Sequence, residues 1–378
     1  MARLLLCLAA LLAVVPANAQ SPRARDLGVP FQGTPGPLNA ITDVAGVTVG
    51  MTTLIEGEGA HAVRTGVTAI LPRGRDSFAR PAYAGWFSLN GNGEMTGTTW
   101  IEESGLLEGP VMITNTHSVG VVRDAVIQWR VARGVADNSG YWWSLPVVAE
   151  TWDGVLNDIN GFHVTREHTF AALDAARDGP VAEGSVGGGT GMICYQFKCG
   201  TGTASRVLTE RQGGYTLGVL VQANHGGLRQ LTVAGVPVGR EIAAAASERP
   251  ELGSIIIVIA TDAPLLPHQL QRLARRASLG LARTGAVSGN GSGDIFVAFS
   301  TANPDAGADE PPPAQLLAND RMDPLFTATV EATEEAIVNA LVAGREMTGI
   351  NGARIPAIDH AQLREILARY NRLPAPAP

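Results

Sequence analysis

The 378-residue chain carries 28 Lys and Arg against 35 Asp and Glu, a formal net charge of -7, and 45% of its residues are hydrophobic. That length and composition let it bury a large core within one extended α/β domain, and with no block of cations it lacks the counterion release by which nucleic acids or anionic membrane surfaces are held. All but one of the basic residues are arginine, and the single lysine, Lys198, stands in Cys194-Tyr-Gln-Phe-Lys-Cys199, a context that fits no phosphate-loop ATPase, pyridoxal Schiff base or Ser-Lys hydrolase.

Residues 1–19 combine Arg3, an apolar run from Leu4 to Val15, and Ala17-Asn18-Ala19 ahead of Gln20. This is the three-part pattern of a secretory signal, so the mature chain is expected to start near Gln20 and to work in the periplasm or outside the cell. The apolar run is too short to span a bilayer, and no later stretch reaches the needed length. Leu38 to Val49 reads as a turn and a strand, Gly66 to Pro72 as a short strand closed by proline, and Ser88 to Gly97 as a Gly- and Asn-rich loop. Pro110 to Thr114 reads as a strand, and Val119 to Ala132 has helical spacing with a polar residue ahead of it as a cap. Gly184 to Gly191 is the most glycine-dense segment, a hinge or a tight turn, and it matches neither the phosphate loop nor the dinucleotide spacing. Once Cys7 leaves with the signal, Cys194 and Cys199 remain. They suit a disulfide across a short hairpin or, if two further ligands were found, a zinc site.

Tyr215 to Val221 reads as a strand that ends on Gln222-Ala-Asn224-His225-Gly226-Gly227, polar groups well placed for a site. Arg240 to Ser247 reads as helix and Glu248 to Gly253 as loop. Ser254-Ile-Ile-Ile-Val-Ile-Ala260 is a β-prone run of the kind buried on both faces. Pro267 opens a helix whose Leu270, Leu273, Ala277 and Leu281 share a face. A loop over Gly285 to Gly293 leads to Asp294 and the strand Ile295 to Thr301. A polar, proline-rich excursion spans Pro304 to Pro313, and two helices follow, Leu325 to Ala343 ended by Gly344 and Ala361 to Arg372 opened by Asp359. This alternation of strands and helices predicts α/β architecture.

No serine has glycine at both the second preceding and second following positions, which excludes the nucleophile elbow. The Gly253-Ser254 junction offers another activation: the hydroxyl attacks the preceding carbonyl, the resulting ester hydrolyses, and the freed α-amine sits beside its own hydroxyl. Such an amine titrates at roughly 7.7 to 8.0, so part of it is uncharged at neutral pH and can accept the hydroxyl proton. On spacing alone, Gly-Ser before a strand is also ordinary turn chemistry.

Taken together, five stretches carry a resemblance: Leu38-Asn-Ala-Ile-Thr-Asp-Val-Ala-Gly-Val47, Thr114-Asn-Thr-His-Ser-Val-Gly120, Pro146-Val-Val-Ala-Glu-Thr-Trp-Asp-Gly154, Val221-Gln-Ala-Asn-His-Gly226, and Gly253-Ser254 followed by Ala260-Thr-Asp-Ala-Pro264. From about Asp26 to the final helix the chain resembles the DmpA/BapA family (peptidase family S58), the L-aminopeptidase/D-esterases and β-peptidyl aminopeptidases. The resemblance implies an αββα sandwich cut between Gly253 and Ser254, into an α chain (20–253) and a β chain (254–378) that stay assembled in homo-oligomers of αβ heterodimers. It implies Ser254 as nucleophile, Ser292 and Asp294 as the serine and acid that complete the site, and Asn224 as oxyanion donor. Glu150 would bind the substrate's ammonium group.

Some relatives carry Glu where Asp294 stands and Tyr where Trp152 stands. Aspartate is a methylene shorter, which bears on its reach, and the indole donates from another place than a phenol. Trp152 is therefore read as a pocket residue, with Asn224 and a backbone N–H holding the oxyanion. For Ser292 and Asp294 the residues alone equally fit a turn before a strand. The reaction so read needs no metal and no cofactor, and its substrates are short peptides or amino-acid amides and esters, with β-peptides included. The rival readings are an ornithine acetyltransferase-like acyltransferase, whose nucleophile is threonine, and a non-enzymatic periplasmic binding protein.

Overall fold

The computed structural model describes residues 22–134, 143–243 and 253–373. The signal segment, the reading of residues 244–247 as helix and that of residues 248–252 as loop lie outside them. In chain order the strands are β1 (Thr48–Glu56), β2 (Val63–Arg75), β3 (Ala82–Ser88), β4 (Leu106–Leu107), β5 (Val111–Asn115), β6 (Val147–Thr151), β7 (Ile193–Cys194), β8 (Phe197–Lys198), β9 (Thr201–Val207), β10 (Thr216–Asn224), β11 (Ser254–Thr261), β12 (Asp294–Ser300), β13 (Met347–Thr348) and β14 (Arg354–Ile355). The helices are α1 (Thr98–Ser104), α2 (Val119–Ala132), α3 (Arg166–Asp174), α4 (Val238–Ile242), α5 (Pro267–Arg283), α6 (Asp323–Val342) and α7 (His360–Arg369). Among the described residues no helix is long and apolar enough to cross a membrane.

Two sheets stack. One has the order β1-β2-β5-β6, the other β4-β3-β12-β11-β10-β9, with β5 parallel to β6 and β11 parallel to β12. Three apolar layers hold the molecule together. Val122, Val126 and Trp129 of α2 pack with Leu173 of α3 on Val67, Met112 and Val148 of the first sheet. Ile70, Ile113 and Ala149 meet Ile256, Val258 and Ala260 between the sheets. Ile255, Ile257 and Ile259 face Leu270, Leu273 and Leu281 of α5 and Ala336 of α6. The order is helix, sheet, sheet, helix, the expected αββα sandwich. It explains the unbroken isoleucine run of β11: odd positions face helices, even positions face the other sheet, and neither face meets water.

The predicted elements hold, with shifts of physical origin. The first strand begins at Thr48, because Ile41–Asp43 form a short turn ahead of it. Strand β2 runs from Val63 to Arg75, yet its ladder with β1 stops at Leu71, one residue before Pro72, which has no N–H to offer. Helix α2 matches its predicted span, but Ser118 ahead of it makes no side-chain capping bond. Asp359 does cap α7, accepting from the N–H groups of Ala361 and Gln362. The Gly184–Gly191 segment is a packed turn: a Cβ on Gly188 would lie 2.3 Å from Gln222 Oε1, and one on Gly189 2.4 Å from Thr201 N. Cys194 and Cys199 are joined as a disulfide across the β7–β8 hairpin, which removes both sulfurs from any zinc site.

Candidate active site

Ser254 is the first residue of β11, buried, and paired across the antiparallel ladder with Asn224, the last residue of β10. On its other side β12 runs parallel and sets Asp294 beside Ile255. Sheet geometry therefore gathers three of the predicted residues at one sheet end, although the sequence spreads them from 224 to 294.

The Ser254 hydroxyl oxygen accepts a hydrogen bond from Gly293 N at 3.0 Å. A backbone N–H was expected to serve the oxyanion together with Asn224; Gly293 N donates instead to the Ser254 hydroxyl oxygen. Asp294 Oδ1 accepts from Ser292 Oγ at 2.6 Å and from Ile255 N at 3.2 Å. Aspartate thus reaches Ser292 despite its shorter side chain, and both residues are buried rather than part of an exposed turn. The Gly285–Gly293 loop is tied down by the β3–α1 loop: Asn90 Oδ1 accepts from Asp294 N, and Asn90 Nδ2 donates to the carbonyls of Ser288 and Gly289.

Gly253 is required by close approach. Its φ lies outside the left-handed region, but an added Cβ would fall 1.8 Å from the Asn224 carbonyl oxygen and 2.9 Å from Asn224 Nδ2. Any side chain at 253 would push the Gly253–Ser254 peptide off Asn224. The Asn224 amide is oriented by two bonds: Oδ1 accepts from Ile193 N at 2.8 Å, and Nδ2 donates to the Trp152 carbonyl at 2.7 Å. An asparagine amide has two N–H donors, and the bond to Trp152 uses one of them. Trp152 enters the site through this backbone oxygen. Its indole lies against Gly154 and is 37% exposed.

Glu150, on β6, is buried, with Oε1 accepting from Glu94 N at 2.9 Å and Oε2 from Thr116 Oγ1. Burial raises its carboxyl pKa; the Thr116 and Glu94 hydrogen bonds and nearby His117 oppose the rise without cancelling it. Among the described residues it forms no ion pair with Arg or Lys. Gly93 links it to the Ser254 end of the sheet: a Cβ there would lie 3.3 Å from Glu150 Oε1 and 3.0 Å from the Cα of Gly293, the donor to Ser254.

Sequence reasoning passed over Thr116, Glu94 and Gly293, because each acts on a partner far along the chain. It also passed over Asp153. That residue is buried, raised to about 6 by desolvation, and held by Asn115 and Asn157 next to the Trp152 turn. Asn115 and Asp153 both stand in the motifs quoted above, the one available signal.

Residues 39–355 match the model of peptidase family S58. The chain belongs to that family. It is 55% identical to the β-peptidyl aminopeptidase BapA of Sphingosinicella microcystinivorans over 97% of both chains. Its structure superposes on the L-aminopeptidase D-Ala-esterase/amidase of Ochrobactrum anthropi, described as a variant of the Ntn hydrolase fold, with a TM-score of 0.87 and 50% identity, covering 93% of this chain and 100% of that one. It likewise superposes on a Burkholderia sp. β-aminopeptidase with a TM-score of 0.86 and 50% identity, covering 92% and 99%. The protein is an aminopeptidase with N-terminal-nucleophile hydrolase architecture. Neither rival reading finds support in these relatives.

Proposed function

We propose that the chain cuts itself between Gly253 and Ser254, and that the matured enzyme releases small uncharged residues, β-amino acids included, from the amino end of short peptides, amides and esters. One observation carries the reading: Ser254 Oγ, held by Gly293 N, lies at a strand end faced by Asn224, and through Gly293 and Gly93 it neighbours the Glu150 carboxylate. In self-cleavage Ser254 Oγ attacks the Gly253 carbonyl carbon, the C–N bond gives way to an ester, and water releases the Gly253 carboxylate and the Ser254 amine. In turnover that amine takes the Oγ proton as Oγ attacks the carbonyl of the substrate's first residue, and Asn224 Nδ2 donates to the oxyanion. The proton passes to the departing amine, and water, activated by the Ser254 amine, clears the acyl group. Ser292 and Asp294 lock the start of β12 beside Ser254. Glu150, a buried carboxylate without a cation, attracts the substrate's ammonium group and so selects for free amino ends. The inclusion of β-amino acids rests on the names of the relatives.

Export to the periplasm rests on the signal-like residues 1–19, and assembly into homo-oligomers of αβ heterodimers rests on the family resemblance. The test is the intact mass of purified active protein beside its Ser254→Ala variant. Two chains meeting before residue 254 in the parent, against one inactive unbroken chain in the variant, are expected. A single chain in fully active parent protein overturns the reading.

A further inference from the structure

Lys198 is the only lysine of the chain and is fully buried. Its Nζ donates to the carbonyl oxygens of Met192 at 2.9 Å and Cys199 at 2.7 Å, and among the described residues no carboxylate pairs with it. Burial pulls its pKa down to about 7, a cost that the fold maintains without an acid to offset it.

The Met192 carbonyl belongs to the same peptide unit as Ile193 N, the group that donates to Asn224 Oδ1. That carbonyl also accepts from Cys199 N at 3.1 Å. Donors on a peptide oxygen polarise its N–H and strengthen the bond it gives. The β7–β8 hairpin carrying these groups is closed by the Cys194–Cys199 disulfide and grips the end of β10 at two more places. Tyr195 N donates to the His225 carbonyl at 2.8 Å, and the Tyr195 ring packs edge-on to His225 and against Gly226, where an added Cβ would fall 2.3 Å from the ring. His225, neutral because burial pulls its pKa down to about 3, adds no charge to this grip.

We propose that the disulfide-closed hairpin Ile193–Lys198, pinned by the Lys198 amine, is a positioning element that holds the Asn224 amide on the scissile carbonyl. The proposal rests on the assignment of Asn224 as oxyanion donor. Lys198 and the cysteines touch no substrate; they act through the Met192–Ile193 peptide. A group that aims a transition-state donor changes kcat with little change in KM, whereas a purely structural group changes the unfolding midpoint and leaves kcat per folded molecule alone.

The experiment is a double-mutant cycle of Lys198→Met with Asn224→Ala, read as kcat and KM on a short peptide amide and as the self-cleavage rate of the full chain. Lys198→Met is expected to lower kcat roughly tenfold with KM within about twofold, a fraction of the 10²–10³-fold that a lost oxyanion donor costs. In the Asn224→Ala background the same change should do almost nothing, because the group it aims is gone. Equal fold-losses in both backgrounds, or a lowered unfolding midpoint with unchanged kcat, overturn the proposal. If Asn224→Ala alone leaves both rates unchanged, the oxyanion assignment is what fails. Should Lys198→Met not fold, or Asn224→Ala be too slow to assay, a crystal structure of Cys194→Ala/Cys199→Ala decides: a displaced Asn224 amide supports the proposal, an unmoved one overturns it.

Discussion

Two buried glutamates of this molecule are handled in opposite ways. Glu335, on α6, meets Arg25 at 2.6 Å and Arg206 at 2.8 Å, and Asn39 Nδ2 also donates to it. Burial alone would raise its pKa, but the two guanidinium groups and Asn39 together turn the shift downward. Glu150 is buried to a similar depth with hydroxyl and backbone donors only, and its pKa goes up. One carboxylate has its cations built in; the other is short of one, which suits the ammonium subsite proposed for it. The first also has a structural duty in the proposed two-chain enzyme, because Arg25, Asn39 and Arg206 precede the Gly253–Ser254 junction and Glu335 follows it.

The comparison is broken hardest at the paired residue. Glu335→Ala removes the nearer carboxylate of buried Arg206 and leaves it only Glu331 at 3.5 Å, and loss of one partner of a buried ion pair costs about 3–5 kcal/mol. Urea unfolding should show that loss, while kcat/KM of the folded fraction stays at the parent value. A matching fall in kcat/KM would mean that the seam also shapes the site.

Glu150→Gln should do the reverse. The desolvation cost of the carboxylate disappears, so stability should hold or rise, whereas kcat/KM for substrates with a free amino end should fall by about 1.5–3 kcal/mol, the worth of a hydrogen bond to a charged group. N-acetylated substrates, which lack the ammonium group, should be unaffected. Equal losses on free and acetylated substrates would remove the ammonium-binding role.

The smallest effect is the pH dependence. Glu150 has its folded pKa above the ordinary carboxylate range, so the ionised form needed to hold an ammonium is lost while pH is still above that range. Beside the acid limb set by the Ser254 amine, kcat/KM should show a second, carboxylate limb lying higher than a free glutamate would place it, and only that second limb should vanish in Glu150→Gln. For Glu335 the sign is opposite: its folded pKa is depressed, so its stabilisation is present above the unfolded carboxylate pKa and is lost as pH falls through the folded one. Stability should thus persist to lower pH than activity.

Local pattern carried the architecture of this protein. The isoleucine run after Ser254, the leucine spacing after Pro267 and the Asp359 cap each lie within a window of a few residues, where side-chain period and backbone demand coincide, and each formed the element read from it. The Gly253-Ser254 junction and Asn224 were singled out by motifs that kept family order, and Ser292 and Asp294 by the same resemblance; the fold brings Ser254, Asn224 and Asp294 to one sheet end. Which groups those residues touch was decided only by tertiary structure. Gly293 meets Ser254 across 39 positions, Thr116 meets Glu150 across 34, and Arg25 meets Glu335 across 310. Sheet stacking creates such pairs after the local elements exist, so no periodicity encodes them. Lys198 makes the point most sharply: as a letter in a short cysteine loop it excluded several chemistries, and only burial beside the peptide that holds Asn224 gave it a part in this one.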